Sequence, residues 1–247
     1  MNKISFNRLI RQLHRWLGVV IGIQFLAWTL GGLYFSWSDM DEVHGDHDKA
    51  PAPLLSASVA YVSPAIVLNV LRQTQAVDSL ADLRLVSILG RLYWLAAYFP
   101  KGHGRHYKKV QLADALTGDL RPPLAQEEAV AVARNGYAGT GKIHGVEYLA
   151  EIDSHHEYRE QPLPAYAVTF DDERRTTVYV AAELGTVQKI RNRPWRRFDF
   201  LWMLHTMDYR SRDNITNWLL RAFSILGLTT VASGFILFFA TQKRRTK

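Results

Sequence analysis

Nine histidines and no cysteine set the chemistry open to this chain. Imidazole titrates near neutral pH and ligates metals through either ring nitrogen. Without cysteine there is no disulfide, no iron-sulfur cluster and no covalent C-x-x-C-H attachment of haem. Any haem would be held by histidine or methionine alone. Four of the histidines stand beside apolar stretches: His14 in "LHRWLG", His44 and His47 in "EVHGDH", and His205 in "LWMLH". The others are dispersed. His103 and His106 fall in the basic turn "KGHGRHYKK", read as a solvated hairpin tip. His155 and His156 are adjacent, so on a strand they would point to opposite faces, and His144 has no evident partner. No G-x-S-x-G elbow, H-E-x-x-H helix, nucleotide loop, or flavin or nicotinamide fingerprint occurs. A redox role would therefore draw electrons from a quinol or a separate protein.

The elements that must position these side chains begin with two spans. No residue from Trp16 to Trp37 is charged, nor any from Ala222 to Gln242, and each run matches the roughly 20 residues that cross a bilayer core. The expected transmembrane helices are 16–37 and 217–242. The first is longer than a signal-peptide apolar region and ends in "GGLYFSWSD" with no small-x-small cleavage site, so it reads as an uncleaved anchor. Trp16, Trp28, Tyr34, Trp37 and Trp218 include several rings near the span ends, where amphipathic aromatics favour the interface. Lys3, Arg8, Arg11 and Arg15 precede the first span, Lys243, Arg244, Arg245 and Lys247 follow the second, and neither flank holds an acidic residue. Residues 1–15 and 243–247 are thus expected in the cytoplasm. The segment 38–216 carries all 23 acidic residues. The net charge of +7 is a topology signal rather than a nucleic-acid footprint.

The middle divides into a connector, 38–62, and two similar units. In the first, 63–121, Ser63 and Pro64 suit an N-cap and first helical position, and the helix runs to about Gln75. "DLRLVSIL", "RLYWLAAYF" and "YKKVQLADALTG" then read as three strands parted by Gly90 and the "PKGHG" turn. The second, 122–193, opens after Pro122 and Pro123 with a helix in "LAQEEAVAVARNGY", glutamates early. "KIHGVEYLAEI", "PAYAVTFDD" and "RTTVYVAAELGTVQKI" read as strands with turns at "DDERR" and "ELG". Both units contain a strand running into a glycine turn, "VQLADALTGDL" and "VYVAAELGTVQ", which reads as an internal repeat. An interfacial segment, 194–216, leads into the second span. The fold class expected is an α+β membrane protein.

"RQLHRWLGVVIGIQFLAWTLGGLYFSW", the two helix-plus-strands units, and "RRFDFLWMLHTMDYR" before the last span together resemble the PepSY-associated transmembrane family over nearly the whole chain. L-H-R-W-x-G and F-D-F-L-x-x-L-H carry most of the likeness. The resemblance implies a bacterial inner-membrane protein with PepSY-like units in the periplasm, linked to reduction of ferric iron or a ferric siderophore through b-type haem. Many relatives have four spans and this chain has two, which implies that two copies build the equivalent bundle.

Depth limits which histidines can meet. His14 lies at the cytoplasmic end of the first span and His205 toward the other face, so one iron cannot join them within a protomer. His44 or His47 can approach His205 and hold a haem b with Phe200 and Trp202 as walls, leaving His14 to pair with His14 of a second copy. Each has a plainer reading: a headgroup contact for His14, a polar turn or surface metal site for "HGDH", a core histidine for His205. Arg221 reads first as a snorkelling side chain, with a haem propionate as the other partner. Gly18 and Gly22 form G-x-x-x-G, and Ala27 and Gly31 repeat the small spacing, which permits close helix approach and a homodimer. The expected function is haem-dependent electron transfer to extracytoplasmic ferric iron or a ferric chelate. The alternative is a non-enzymatic binding module that anchors and regulates a partner such as an iron transporter or peptidase.

Overall fold

The computed structural model describes residues 3–242 except 52, 56, 57 and 105, with residues 3–10, 13 and 240–242 described by their helical backbone alone. The basic tail Lys243, Arg244, Arg245 and Lys247 lies outside the described residues. The chain divides into a helical unit, residues 1–39 with 196–247, and a sheet unit, residues 40–195. Its class is α+β, with two sheets of four antiparallel strands and two apolar helices long enough to cross a membrane.

In the helical unit, α1 (Lys3–Trp37) is one unbroken helix, α5 (Arg193–Thr206) is mostly contained in the unit, and α6 (Trp218–Gln242) follows. Glycines set the contact between α1 and α6. A Cβ on Gly227 would lie 2.9 Å from the Phe25 ring, and one on Gly234 would lie 3.3 Å from Cε1 of His14. Position 227 thus meets residues near 25 and position 234 meets 14, so the two helices are antiparallel. At Gly18 and Gly22 an added Cβ would meet nothing within 4 Å. The small-residue spacing of α1 is therefore not what packs the two helices of one chain together.

Helix α5 lies along the second half of α1, with Phe198 on Phe35 (4.6 Å between ring centroids) and the Leu204 carbonyl on Gln24. Its last carbonyls would otherwise be orphaned, as in any helix. Gln24 Nε2 donates to Leu204 O at 3.1 Å, Trp28 Nε1 to His205 O at 2.9 Å and Asn217 Nδ2 to Thr206 O at 2.9 Å. The turn that follows is organised by Asp208, which accepts from the Ser211 hydroxyl and from the backbone N–H groups of Arg210, Ser211 and Asn214. Burial opposes ionisation of this carboxyl, yet those bonds outweigh it and hold its pKa at about 2. Arg212 pairs with the buried Asp199 and ties the turn back to α5.

The sheet unit opens with α2 (Met40–His44) and then repeats one plan. Helix α3 (Pro64–Thr74) precedes the meander β1 (Val77–Ile88), β2 (Arg91–Pro100), β3 (Lys109–Asp114) and β4 (Leu120–Arg121). Helix α4 (Gln126–Gly136) precedes β5 (Lys142–Leu149), β6 (Ala165–Asp171), β7 (Thr177–Ala181) and β8 (Thr186–Arg191). Ser63 caps α3 by accepting from Ala65 N, and Glu128 at the start of α4 accepts from Ala125 N and Arg121. The first unit has a fourth strand beyond the three expected. It is two residues long, too short for alternation to mark it in sequence, and exists by pairing Leu120 and Arg121 with Ala113 and Leu112.

One apolar core joins both sheets to α4: Ile88, Tyr93, Leu95 and Leu112 from the first, Val168, Phe170, Val178 and Val180 from the second, and Val132 and Ala133 from the helix. Close approach is enforced by glycine. A Cβ on Gly136 would come within 2.7 Å of Val187, and one on Gly185, at φ +68°, within 2.3 Å of Ile88. Tyr137 stacks on Phe170 and donates to Asp172 at 2.7 Å, and burial together with that bond raises the phenol to about 12.

Candidate functional site

Two of the four singled-out histidines, His14 and His205, belong to the helical unit. Helix α1 presents His14 to α6, where its Nδ1 lies 2.7 Å from Ser233 Oγ. The Ser233 hydroxyl has one proton, and it is given to the Thr230 carbonyl at 2.7 Å. With that proton on Thr230 O, Ser233 accepts from His14 Nδ1–H, and in this tautomer the ring keeps a lone pair on Nε2. That is the tautomer a histidine needs to ligate a metal through Nε2 while handing its other nitrogen to an acceptor. Gly234 beside the ring has no side chain to cover it, and Val231, Phe235, Phe238 and Phe239 line an open apolar groove of about 440 Å³ that includes Gly234. A b-type haem needs a donor nitrogen and apolar walls; here the His14 ring touches Gly234, one of the residues that line the groove, but does not itself line it.

His205 sits differently. Its ring lies parallel to Trp202 (13°, centroids 6.0 Å), with Trp28 at 6.1 Å and Phe35 at 5.9 Å around it. Its Nδ1 is buried and has no hydrogen-bond partner among the described residues. An unpaired buried polar atom costs about 1–3 kcal/mol, a cost that a Lewis acid at that nitrogen would remove. The box encloses this nitrogen and, among the described residues, offers it no acceptor for a proton.

The two imidazoles are far apart. Trp28 and Phe35, which flank His205, lie 14 and 21 residues beyond His14 on α1, so at 1.5 Å per residue the separation is about 20–30 Å. The expectation from depth, that no single iron joins them within one chain, agrees with this geometry.

His44 and His47 belong to the sheet unit. His44 ends α2 and His47 lies in the turn after it, both exposed. That turn is fixed by the buried Asn192, whose Nδ2 donates to Glu42 O (3.0 Å) and Asp48 Oδ2 (3.1 Å). Arg221 is exposed in the first turn of α6 and has no acidic partner among the described residues. Phe200, proposed as a haem wall with Trp202, is half exposed. His103 stacks on Tyr107, and His156 Nδ1 accepts from Tyr158 N.

Ser233 and Gln24 were not among the residues singled out from sequence. Both are polar side chains inside apolar spans, a placement that marks function or packing on its own. A single serine or glutamine inside a charge-free run has no spacing signal of its own in the sequence. Comparison of the chain with protein-family models, with curated proteins and with solved structures gives no match in any of the three.

Proposed function

We propose that this chain is a haem-dependent electron-transfer protein of the bacterial inner membrane, with both termini cytoplasmic and its PepSY-like sheet unit periplasmic, that passes electrons to extracytoplasmic ferric iron or a ferric siderophore. The observation that carries the reading is the 2.7 Å contact between His14 Nδ1 and Ser233 Oγ, which in the Nδ1–H tautomer leaves Nε2 to ligate a metal. A bound b-type haem would supply a one-electron couple between ferric and ferrous iron. His14 offers the ligand at one depth of the helical unit, and Ser233 fixes its tautomer. His205 offers a second imidazole in the aromatic box, and Arg221 a cation for a propionate. A homodimer would give His14 its opposite imidazole, and the open face of Gly18 and Gly22 favours close approach of a second α1. The electron donor in this reading is a quinol or another protein.

An absorption spectrum of the purified protein, oxidised and then reduced with dithionite, tests the proposal. We expect a Soret band that shifts on reduction and is weakened by His14→Ala. Ser233→Ala should lower haem occupancy about 10–100-fold, the usual effect of losing the hydrogen bond behind a ligating histidine, and Ser233→Thr should restore it. Protein from haem-replete cells with no Soret band would overturn the reading.

A second reading, a module that binds and regulates a transporter or peptidase, is favoured by β5, an edge strand that exposes Ile143 and Tyr148. It gains if His14→Ala and His205→Ala leave iron uptake intact while substitutions on β5 abolish it.

A further inference from the structure

The sheet unit holds a cavity of about 400 Å³ that the electron-transfer reading does not use. It opens between the β1–β2 turn, the start of β8, the last turn of α4 and the connector that carries Lys49, Pro51 and Pro53. Its size falls within the range of small-molecule sites, roughly 300–1,000 Å³.

The walls are fixed rather than incidental. Gly136 and Gly185 each line the cavity at a point where any Cβ would collide with the core. The connector is pinned as the rim by Ala50 N donating to Gly136 O at 3.0 Å and Ala138 N to Asp48 O at 2.9 Å. The lining is apolar at Pro51, Pro53, Ile88, Leu89 and Val187, with neutral hydrogen-bonding groups on Ser87, Asn135 and Thr186. Among the described lining residues Lys49 is the one charged residue, and none carries a carboxylate. The Lys49 ammonium pairs with Asp46, both side chains being about half exposed to solvent. Such a pair is worth little, about 0–1 kcal/mol, so the ammonium is free to exchange toward another anion.

Leu89 supplies an independent observation. It and Gly90 form the two-residue β1–β2 turn with φ of +52° and +79°, a turn that favours Asn-Gly or Gly-Gly. A leucine held left-handed costs about 1–2 kcal/mol. It remains 40% exposed at the cavity wall, so burial within the chain does not offset that cost. Leu54, next to the rim at Pro53, is 97% exposed.

We propose that this cavity binds a small amphiphile made of an apolar body and a single carboxylate. The body packs on Leu89, Ile88, Val187 and the rim prolines, and the carboxylate meets the Lys49 ammonium. Among the described lining residues no acidic side chain opposes the anion, and Lys49 is the one cation to meet it.

The cysteine-free chain makes the test direct, because one introduced thiol is unique. Full-length Ser87→Cys protein in zwitterionic-lipid nanodiscs is labelled with a maleimide in the presence of octanoate, octan-1-ol or octylammonium. Octanoate should slow labelling saturably, by about tenfold when it stands near ten times its Kd, and the other two should not. Lys49→Gln should remove the protection and Lys49→Arg should keep it. No protection by octanoate overturns the proposal, as does equal protection by all three probes or undiminished protection in Lys49→Gln. Asn135→Cys reports on the same cavity if Ser87→Cys does not fold.

Discussion

The sheet unit and the helical unit solve opposite problems with the same apolar residues. In the sheet unit Val168, Val178 and Val180 are fully enclosed between two sheets and a helix. In the helical unit Ile21 is enclosed, while Ile23 two positions on is 70% exposed and Phe235 62%. Apolar area removed from water holds the first together. In the second, outward-facing apolar surface suits lipid, and lipid gives helices little reason to associate. Specificity there falls to single polar bonds: His14 to Ser233, Gln24 and Trp28 to the end of α5, and the Asp208 turn. The difference teaches where a substitution should matter. Volume decides in one unit and hydrogen-bond partners decide in the other.

The largest expected effect breaks the comparison at its apolar side. Phe170→Ala, in the core shared by both sheets, should destabilise the sheet unit by about 3–5 kcal/mol. Phe235→Ala, on the outward face of α6, should stay within about 0.5 kcal/mol. Denaturant unfolding of the two variants in nanodiscs measures both, and equal losses would refute the contrast.

A smaller effect tests the polar side. Asp208→Asn should cost about 1–3 kcal/mol, because the donors now converging on a carboxylate lose their charged acceptor. The pH dependence has a definite sign. The folded pKa of about 2 lies below the ordinary 3.8, so the contribution of Asp208 is complete above the unfolded value and is lost as pH falls toward the folded one. Unfolding followed between pH 5 and pH 2 should show wild type converging on Asp208→Asn at the acid end. Parallel curves would assign the turn to other groups.

The smallest effect concerns the cavity. Leu89→Gly should raise stability, by about 1 kcal/mol, by relieving a left-handed leucine, while weakening octanoate protection of Ser87→Cys. A stability gain without that weakening would separate the strained turn from ligand binding.

Much of this architecture was legible in sequence because its signals are local. Charge-free runs mark both long helices, Ser63-Pro64 marks the start of α3, and Gly90, Gly118 and Gly185 mark turns that the structure holds at positive φ. What was not legible is long-range. The His14 partner lies 219 residues away, and no spacing rule connects a histidine near one end of the chain to a serine near the other. The small-residue spacing on α1 was visible, but which helix used it was not: within the chain Gly227 and Gly234 make the contact. Strand β4 escaped notice because two residues carry no period.

The side chains of Gln24 and Trp28 also impose an order in time. Their acceptors on Leu204 and His205 lie 180 and 177 residues later in the chain. At roughly 5–20 residues per second, a ribosome needs about 10–40 s to deliver them. Were the first helix to enter a bilayer during that interval, it would hold two donors whose acceptors on α5 are not yet made. A nascent helix in that condition is a natural client for whatever shelters polar groups at the insertion machinery. Replacing Gln24 with leucine would release it from that dependence while leaving α5 without one of its caps.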